Sequence, residues 1–130
     1  MDYTILTNNP KVNEKFGDSH RVSFYDVPAE SILSIAADMI DSGCVLLNHP
    51  LYGSVKPNET PYKSLLLKKK AGTYTWDAVS SDESRELINK AITAYNKFTH
   101  KKEDTSHDLL LDYQVVDLSL LASAAEAVDE

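Results

Sequence analysis

The sequence has little of what marks several large protein classes. Its 130 residues include one cysteine, Cys44, so no internal disulfide can form, which agrees with a reducing compartment. The longest nearly apolar stretch, 109–121, is interrupted by Asp112, Gln114 and Asp117 and falls short of the roughly 20 apolar residues of a membrane-spanning helix. The first residues lack both the basic and the apolar region of a secretory signal. We therefore expect a cytoplasmic protein that does not enter a membrane.

Familiar catalytic and cofactor motifs are also absent. The four glycines form neither a G-x-x-x-x-G-K-[ST] loop nor a G-x-G-x-x-G loop, and no serine lies in a G-x-S-x-G turn. The four histidines and Cys44 show no close spacing of the zinc type. His49 and Glu59 could form an acid–base pair, but a single histidine beside a proline more often has a structural role. We predict no metal and no cofactor, identify no catalytic residue, and favour a protein that is not an enzyme.

Charge is distributed unevenly around a net value of −7. Between His49 and Lys70 there are five lysines and one acid, whereas Asp108 to Glu130 holds six acids and no lysine or arginine. One local basic stretch in an acidic protein suits a small anion or an acidic partner patch better than a nucleic acid, which requires a broad basic face. The alternative is that these lysines are only solvated. We predict no nucleic-acid partner.

Apolar spacing predicts alternating strands and helices in a chain of one-domain length. Strand patterns occur at 3–7, 22–25 and 44–47, and the first two lead into helical patterns. They predict a single three-layer α/β domain with a mostly parallel sheet of about four to five strands flanked by helices. The fourth strand is expected at 62–67, with its direction open, and the fifth at Val115-Val116.

The second half adds a long helix and two connecting segments. Ser80 and Glu83 have the spacing of a capping box, and the apolar stripe behind them predicts a helix to about Thr99. Residues 1–130 are expected to form one domain, with 100–107 an exposed connection. Residues 122–130 form a terminal tail. The Ala-rich segment 118–128 could become a helix, packed on the domain or offered to a second copy.

The segment 48–64 concentrates polar groups between two predicted strands. Loops longer than about 12 residues are usually functional or disordered, and three prolines favour order here. If the strands are parallel, the residues that follow them meet at one edge of the sheet, where ligands bind. The alternatives are a rigid loop that satisfies its own backbone and asparagines that only cap helices. The predicted ligand-binding residues are Asn8, Asn9, Asn48, His49, Gly53, Ser54, Lys56, Asn58, Glu59, Thr60, Tyr62, Lys63 and Ser64.

Three segments together resemble one known family. They are Thr7-Asn8-Asn9-Pro10, the block from His49-Pro50-Leu51 through Gly53 to Ser64, and Val116-Asp117-Leu118-Ser119-Leu120. The chain resembles the GrdX family, which is named after the glycine reductase gene clusters of anaerobic bacteria that ferment amino acids. The resemblance implies a small cytosolic accessory protein associated with reductive deamination of glycine, sarcosine or betaine. It implies no catalytic residue, but the carboxylate substrates and the acetyl phosphate of that pathway are consistent with an anion-binding loop.

Three functions compete. The leading hypothesis is an accessory or regulatory protein that binds a small anionic metabolite at the 48–64 segment. The first alternative is a small-metabolite enzyme in which Lys56 and Lys63 orient the substrate while His49 or Glu59 moves a proton. The second is an interaction module whose loop and acidic tail contact glycine reductase components, and a homodimer also stays open.

Overall fold

The chain has a mixed α/β fold, as predicted. A computed structural model describes residues 3–50, 61–69, 75–97 and 107–129. The elements are β1 (Tyr3–Thr7), α1 (Pro10–Phe16), β2 (Arg21–Phe24), α2 (Ala29–Asp41), β3 (Cys44–Leu46), β4 (Ser64–Lys69), α3 (Thr75–Lys97) and α4 (His107–Asp129). Gly43 follows α2 with a φ of 111°, a left-handed conformation that favours glycine and that ends the helix as its position predicts.

The sheet corrects the predicted strand directions. Its order is β2-β1-β4-β3, and only the β1–β2 pairing is parallel, because β4 runs antiparallel to both β1 and β3. The mostly parallel sheet was therefore a wrong prediction. The physical reason is that apolar patterns identify a strand but do not show which strand it pairs with, and the pairing of β4 with β1 and β3 decides its direction. Strands β1, β2 and β3 nevertheless share one direction, because β4 reverses the chain between β1 and β3.

Two other predictions fail in the second half of the chain. The predicted fifth strand at Val115 and Val116 is part of helix α4. Two adjacent β-branched residues favour a strand locally, but the apolar spacing around them is helical and packing on the sheet outweighs that preference. Helix α3 begins at Thr75, so Ser80 lies inside the helix and is not its cap.

Helices lie against both faces of the sheet. Side chains alternate between the faces along a strand, so Leu65 and Leu67 contact one cluster of buried residues and Leu66 contacts the other. The first cluster includes α2 and α3, with the predicted stripe residue Tyr95, and the second includes α1 and α4. Burying these apolar groups is the main favourable contribution to folding.

The remaining segments are only partly described. Residues 100–106 of the predicted connection lie outside the described residues, and the division into one domain stays a prediction. Residues 122–129 of the predicted tail belong to α4, and their Ala125 is 2% exposed against the sheet. Among the described helices, none combines the length and the apolar character that crossing a membrane would require.

Candidate functional site

Four chain segments meet at one edge of the sheet. Thr7, the last residue of β1, pairs with Ser64, the first residue of β4, and Asn48 follows shortly after β3. Because β1 and β3 run in the same direction, the predicted meeting of Asn8, Asn9 and Asn48 at this edge occurs in spite of the reversed β4. Helix α4 contributes Asp117 to the same edge of the sheet. We call the following residues the edge cluster: Thr7, Asn8, Asn9, Asn48, Lys63, Ser64 and Asp117.

The carboxylate of Asp117 is the acceptor at the centre of the edge cluster. Its Oδ2 accepts a hydrogen bond of 2.6 Å from the Ser64 hydroxyl and one of 3.0 Å from Asn9 Nδ2. Because Ser64 donates to Asp117, the hydroxyl of Thr7, 2.7 Å away, donates to Ser64, and it also accepts from the backbone N–H of Asn9 at 2.9 Å. Asp117 is 5% exposed, and the other three are fully buried. The result is a directed chain of hydrogen bonds that ends on a buried negative charge.

The two asparagines after β1 join separate elements. Asn9 caps α1 by accepting from the backbone N–H of Lys11 at 3.0 Å, and its Nδ2 also donates to the carbonyl of Gln114 at 2.9 Å. Asn8 accepts from the backbone N–H of Lys63 and donates to the carbonyls of Val27 and Pro61, each at 2.8 Å. Both amides therefore hold the framework of the site, as the capping alternative predicts for Asn9.

Asn48 joins the strands on either side of the 48–64 segment. Its Oδ1 accepts from the backbone N–H of Leu66 at 2.8 Å, and its Nδ2 lies 3.4 Å from the Ser64 carbonyl. Together with the 2.9 Å bond from Leu47 N–H to the Leu66 carbonyl, these contacts extend the pairing of β3 and β4 beyond the last strand residue. These hydrogen bonds thereby hold the two ends of the 48–64 segment on neighbouring strands, β3 and β4.

Lys63 is the buried cation of the site. Its side chain is 5% exposed, its Nζ donates to the Pro50 carbonyl at 2.7 Å, and Nζ lies 5.8 Å from the centre of the Tyr95 ring. Burial disfavours the ammonium and lowers the pKa of Lys63 to about 8, although the charge of Asp117 acts in the opposite direction. Burial also raises the pKa of Tyr95, and the charges of Glu30 and Asp117 add to that shift. Titratable groups perturbed in this way are concentrated in functional sites.

The other two described candidates lie at the margin of the edge cluster. Tyr62 accepts a hydrogen bond of 2.7 Å at its hydroxyl from Gln114 Nε2, so it also contacts α4. His49 is exposed and lines a shallow cavity of about 270 Å³ between the end of β3 and helix α3, together with Asn48 and Glu83. Six predicted residues lie outside the described residues: Gly53, Ser54, Lys56, Asn58, Glu59 and Thr60.

Sequence reasoning missed Asp117, Gln114 and Tyr95 as parts of this site. The spacing of Asp117 could have identified it. If 109–121 is a helix, Asp117 and Leu121 are four residues apart and lie on the same face. Both residues are buried in the structure. The predicted strand at 115–116 concealed that relation. Among residues 3–50, 61–69, 75–97 and 107–129, no three His, Cys, Asp or Glu side chains are arranged to hold a metal ion.

Comparisons with known proteins identify a family. A family model described as GrdX-like protein matches residues 4–126 of the 130, a span that includes every residue of the edge cluster. No curated protein and no solved structure matches the chain. Because the family match covers nearly all of the sequence, the chain belongs to the GrdX-like protein family.

Proposed function

We propose that this protein is an accessory or regulatory protein of glycine, sarcosine or betaine reductase metabolism, and that it binds a small anionic metabolite beside Lys63. Membership of the GrdX-like family supports the metabolic context. The observation that carries the binding site is the burial of the Lys63 ammonium at the sheet edge where the 48–64 segment begins and ends.

A buried ammonium attracts an anion more strongly than an exposed one does. Charges interact more strongly where the effective dielectric is low, and less salt screens them there. The lowered pKa of Lys63 means that its charge is costly in the protein, and an incoming carboxylate or phosphate would offset that cost. Binding of an anion and protonation of Lys63 therefore support each other.

The neighbours of Lys63 favour a ligand of small size. The ammonium is held between the Pro50 carbonyl and the face of Tyr95, and both contacts are compatible with a cation that keeps its charge. Asp117 contributes one negative charge to the same cluster, so a ligand with a single compact anionic group fits better than a polyanion. Acetate-like carboxylates and inorganic or acyl phosphates belong to this class.

Calorimetry with phosphate, acetyl phosphate, glycine and betaine tests the proposal. The key variant is Lys63→Met, which keeps an unbranched side chain without the charge. The matched control is Lys68→Met, an exposed lysine of β4, the strand that begins directly after Lys63. We expect an anion to bind the wild type and the control, and binding to be lost in Lys63→Met variants that keep their circular dichroism spectrum. If no anion binds the wild type, or if Lys63→Met binds equally well, the proposal fails.

A second candidate, contact with a reductase component, is favoured by the outer surface of α4. Val115 is 54% exposed and Val116 is 44% exposed, on a helix that carries acidic residues and no lysine or arginine. Val116→Asp should then reduce co-purification of reductase components, whereas Ser123→Asp, another exposed residue of α4, should not. Equal recovery with both variants would remove this candidate.

A further inference from the structure

The two outer strands of the sheet differ in how their free edges are covered. On the β3 side, the hydroxyl of Ser84 in α3 accepts the outward N–H of Leu46 at 2.9 Å, and Ser84 is 4% exposed. On the β2 side, no strand or side-chain cap pairs with the outer edge within residues 3–50, 61–69, 75–97 and 107–129. An edge of this kind is a template for another strand.

The register of the β1–β2 pair shows which groups point outward. The N–H of Tyr25 donates to the Thr7 carbonyl at 2.9 Å, so Tyr25 faces β1. Main-chain groups alternate along a strand, and therefore Ser23 also faces β1 while Val22 and Phe24 direct their N–H and C=O groups away from the sheet. The outer edge of β2 thus offers two residues for pairing.

We propose that the outer edge of β2 pairs with β2 of a second copy of this chain, in antiparallel orientation and with Ser23 opposite the partner's Ser23. A two-fold axis perpendicular to the sheet is the operation that relates two such strands, and it places residues of the same face opposite each other. In this register Val22 and Phe24 oppose the partner's Phe24 and Val22. Both outward residues then form hydrogen-bonded pairs with residues that lie inside β2 of the partner.

Other registers use this edge less well. A shift that places Val22 opposite the partner's Val22 leaves Phe24 opposite a residue before the strand begins. A shift that places Phe24 opposite the partner's Phe24 pairs Val22 with Asp26, where the Val27 N–H turns back to the Tyr25 carbonyl at 3.0 Å. The Ser23 register is the one in which both outward residues pair inside β2.

Side chains in the same register complement each other in charge and shape. Arg21, which is exposed, lies opposite the partner's Tyr25, and Tyr25 is 44% exposed on this copy. A guanidinium over an aromatic ring is an attractive pair, and symmetry forms it twice. On the other face Val22, partly buried against the α1 and α4 side, opposes the partner's Phe24, a pairing of β-branched and aromatic side chains that stabilises antiparallel strands.

Sedimentation equilibrium of the wild type and three variants tests the pairing. Tyr25→Lys places two cations opposite each other and should weaken the dimer by about tenfold or more. Arg21→Glu removes the guanidinium and should weaken it similarly. The double variant Arg21→Glu with Tyr25→Lys restores opposite charges and should recover the affinity. A wild type that stays monomeric at all concentrations, or a double variant as weak as the product of the singles, would overturn the proposal.

Cross-linking tests the register itself. In a Cys44→Ser background, Ser23→Cys would place two thiols in a pair that is not hydrogen-bonded, with Cα atoms about 4.5 Å apart, within the range of a disulfide. Mild oxidation should therefore give a covalent dimer. Ser42→Cys, an exposed residue after α2, is the matched control and should give none. A covalent dimer at Ser42→Cys but not at Ser23→Cys would overturn the Ser23 register and the β2 interface.

Discussion

The Ser64 hydroxyl donates a 2.6 Å hydrogen bond to Asp117, and this bond ties the first residue of β4 to the middle of α4. Both residues are buried, and Asn9 donates to the same carboxylate oxygen. A carboxylate in this position therefore accepts from two buried donors, one in β4 and one in the turn between β1 and α1. Its removal affects the contact between α4 and the sheet as well as the polar site.

Asp117→Ala should lower the free energy of unfolding by about 2 to 4 kcal/mol, because two buried donors lose their acceptor. Urea denaturation measures the change. Asp112→Ala, an exposed acid of the same helix, is the control and should change stability little. Equal stability of the two variants would show that the carboxylate of Asp117 does not hold α4.

Thr7→Val keeps the shape of the side chain but removes the oxygen that accepts from Asn9 N–H and contacts Ser64. We expect a loss of about 1 to 3 kcal/mol, because a buried N–H is left without its acceptor. Thermal unfolding compares the melting temperature of this variant with that of Thr93→Val. The Thr93 hydroxyl is exposed and only donates back to the Asn89 carbonyl. If Thr7→Val melted at the same temperature as the wild type, the directed chain of hydrogen bonds to Asp117 would be contradicted.

Stability should rise with pH through the range in which Lys63 titrates. The pKa of Lys63 is about 8 in the folded protein and near 10.5 when unfolded, so between these values the unfolded chain binds more protons and the free energy of unfolding rises with pH. The pKa values of Tyr3 and Tyr95 are raised above 10, and they lower stability as pH rises beyond that value.

Urea denaturation between about pH 8 and pH 9 reports on the lysine, because the two tyrosines remain mostly protonated there in both states. Burial also raises the pKa of the Cys44 thiol, and comparison with Lys63→Met removes that contribution because both proteins contain Cys44. The wild type should gain stability across this interval, and Lys63→Met should gain less. Anion affinity should fall over the same interval, since the neutral amine has no charge to offer. Parallel stability curves for the two proteins would show that Lys63 keeps an ordinary pKa.

Ser84→Ala should destabilise the outer edge of β3. The Ser84 hydroxyl accepts the outward N–H of Leu46, so its loss leaves that group without a protein partner and should cost about 1 to 2 kcal/mol. Faster hydrogen exchange at Leu46 reports the change directly. Ser34→Ala, an exposed serine of α2 that donates to the Glu30 carbonyl, is the control. Unchanged exchange at Leu46 would mean that Ser84 does not protect this edge.

Local patterns were sufficient to predict much of the fold. The apolar period of α2 and the glycine after it predicted that helix. The convergence of Asn8, Asn9 and Asn48 was predicted on the condition of parallel strands, and it occurs because β1 and β3 share a direction. The direction of β4 could not be predicted in this way, because it depends on which strand β4 pairs with. Strand pairing is a contact between distant parts of the chain, whereas apolar spacing reports only local structure.

The site shows the same division between local and distant information. The residues 48–64 were identified because polar groups and prolines accumulate there, but Asp117 contacts Ser64 from 53 positions away. Asp117 interrupts an apolar run of the sequence. In the predicted strand its side chain would face solvent, whereas in helix α4 it faces the sheet. The error in secondary structure at 115–116 therefore became an error in the site.

The bonds that join Asn48 to Leu66 and Leu47 to Leu66 fix both ends of the 48–64 segment independently of what lies between them. The entropy of closing a loop grows only logarithmically with its length, so each doubling costs about 0.6 kcal/mol. The 48–64 segment can therefore become longer, shorter or differently charged while the sheet stays the same. The proposed binding site can thus acquire a new specificity through changes in the 48–64 segment, without a change of fold.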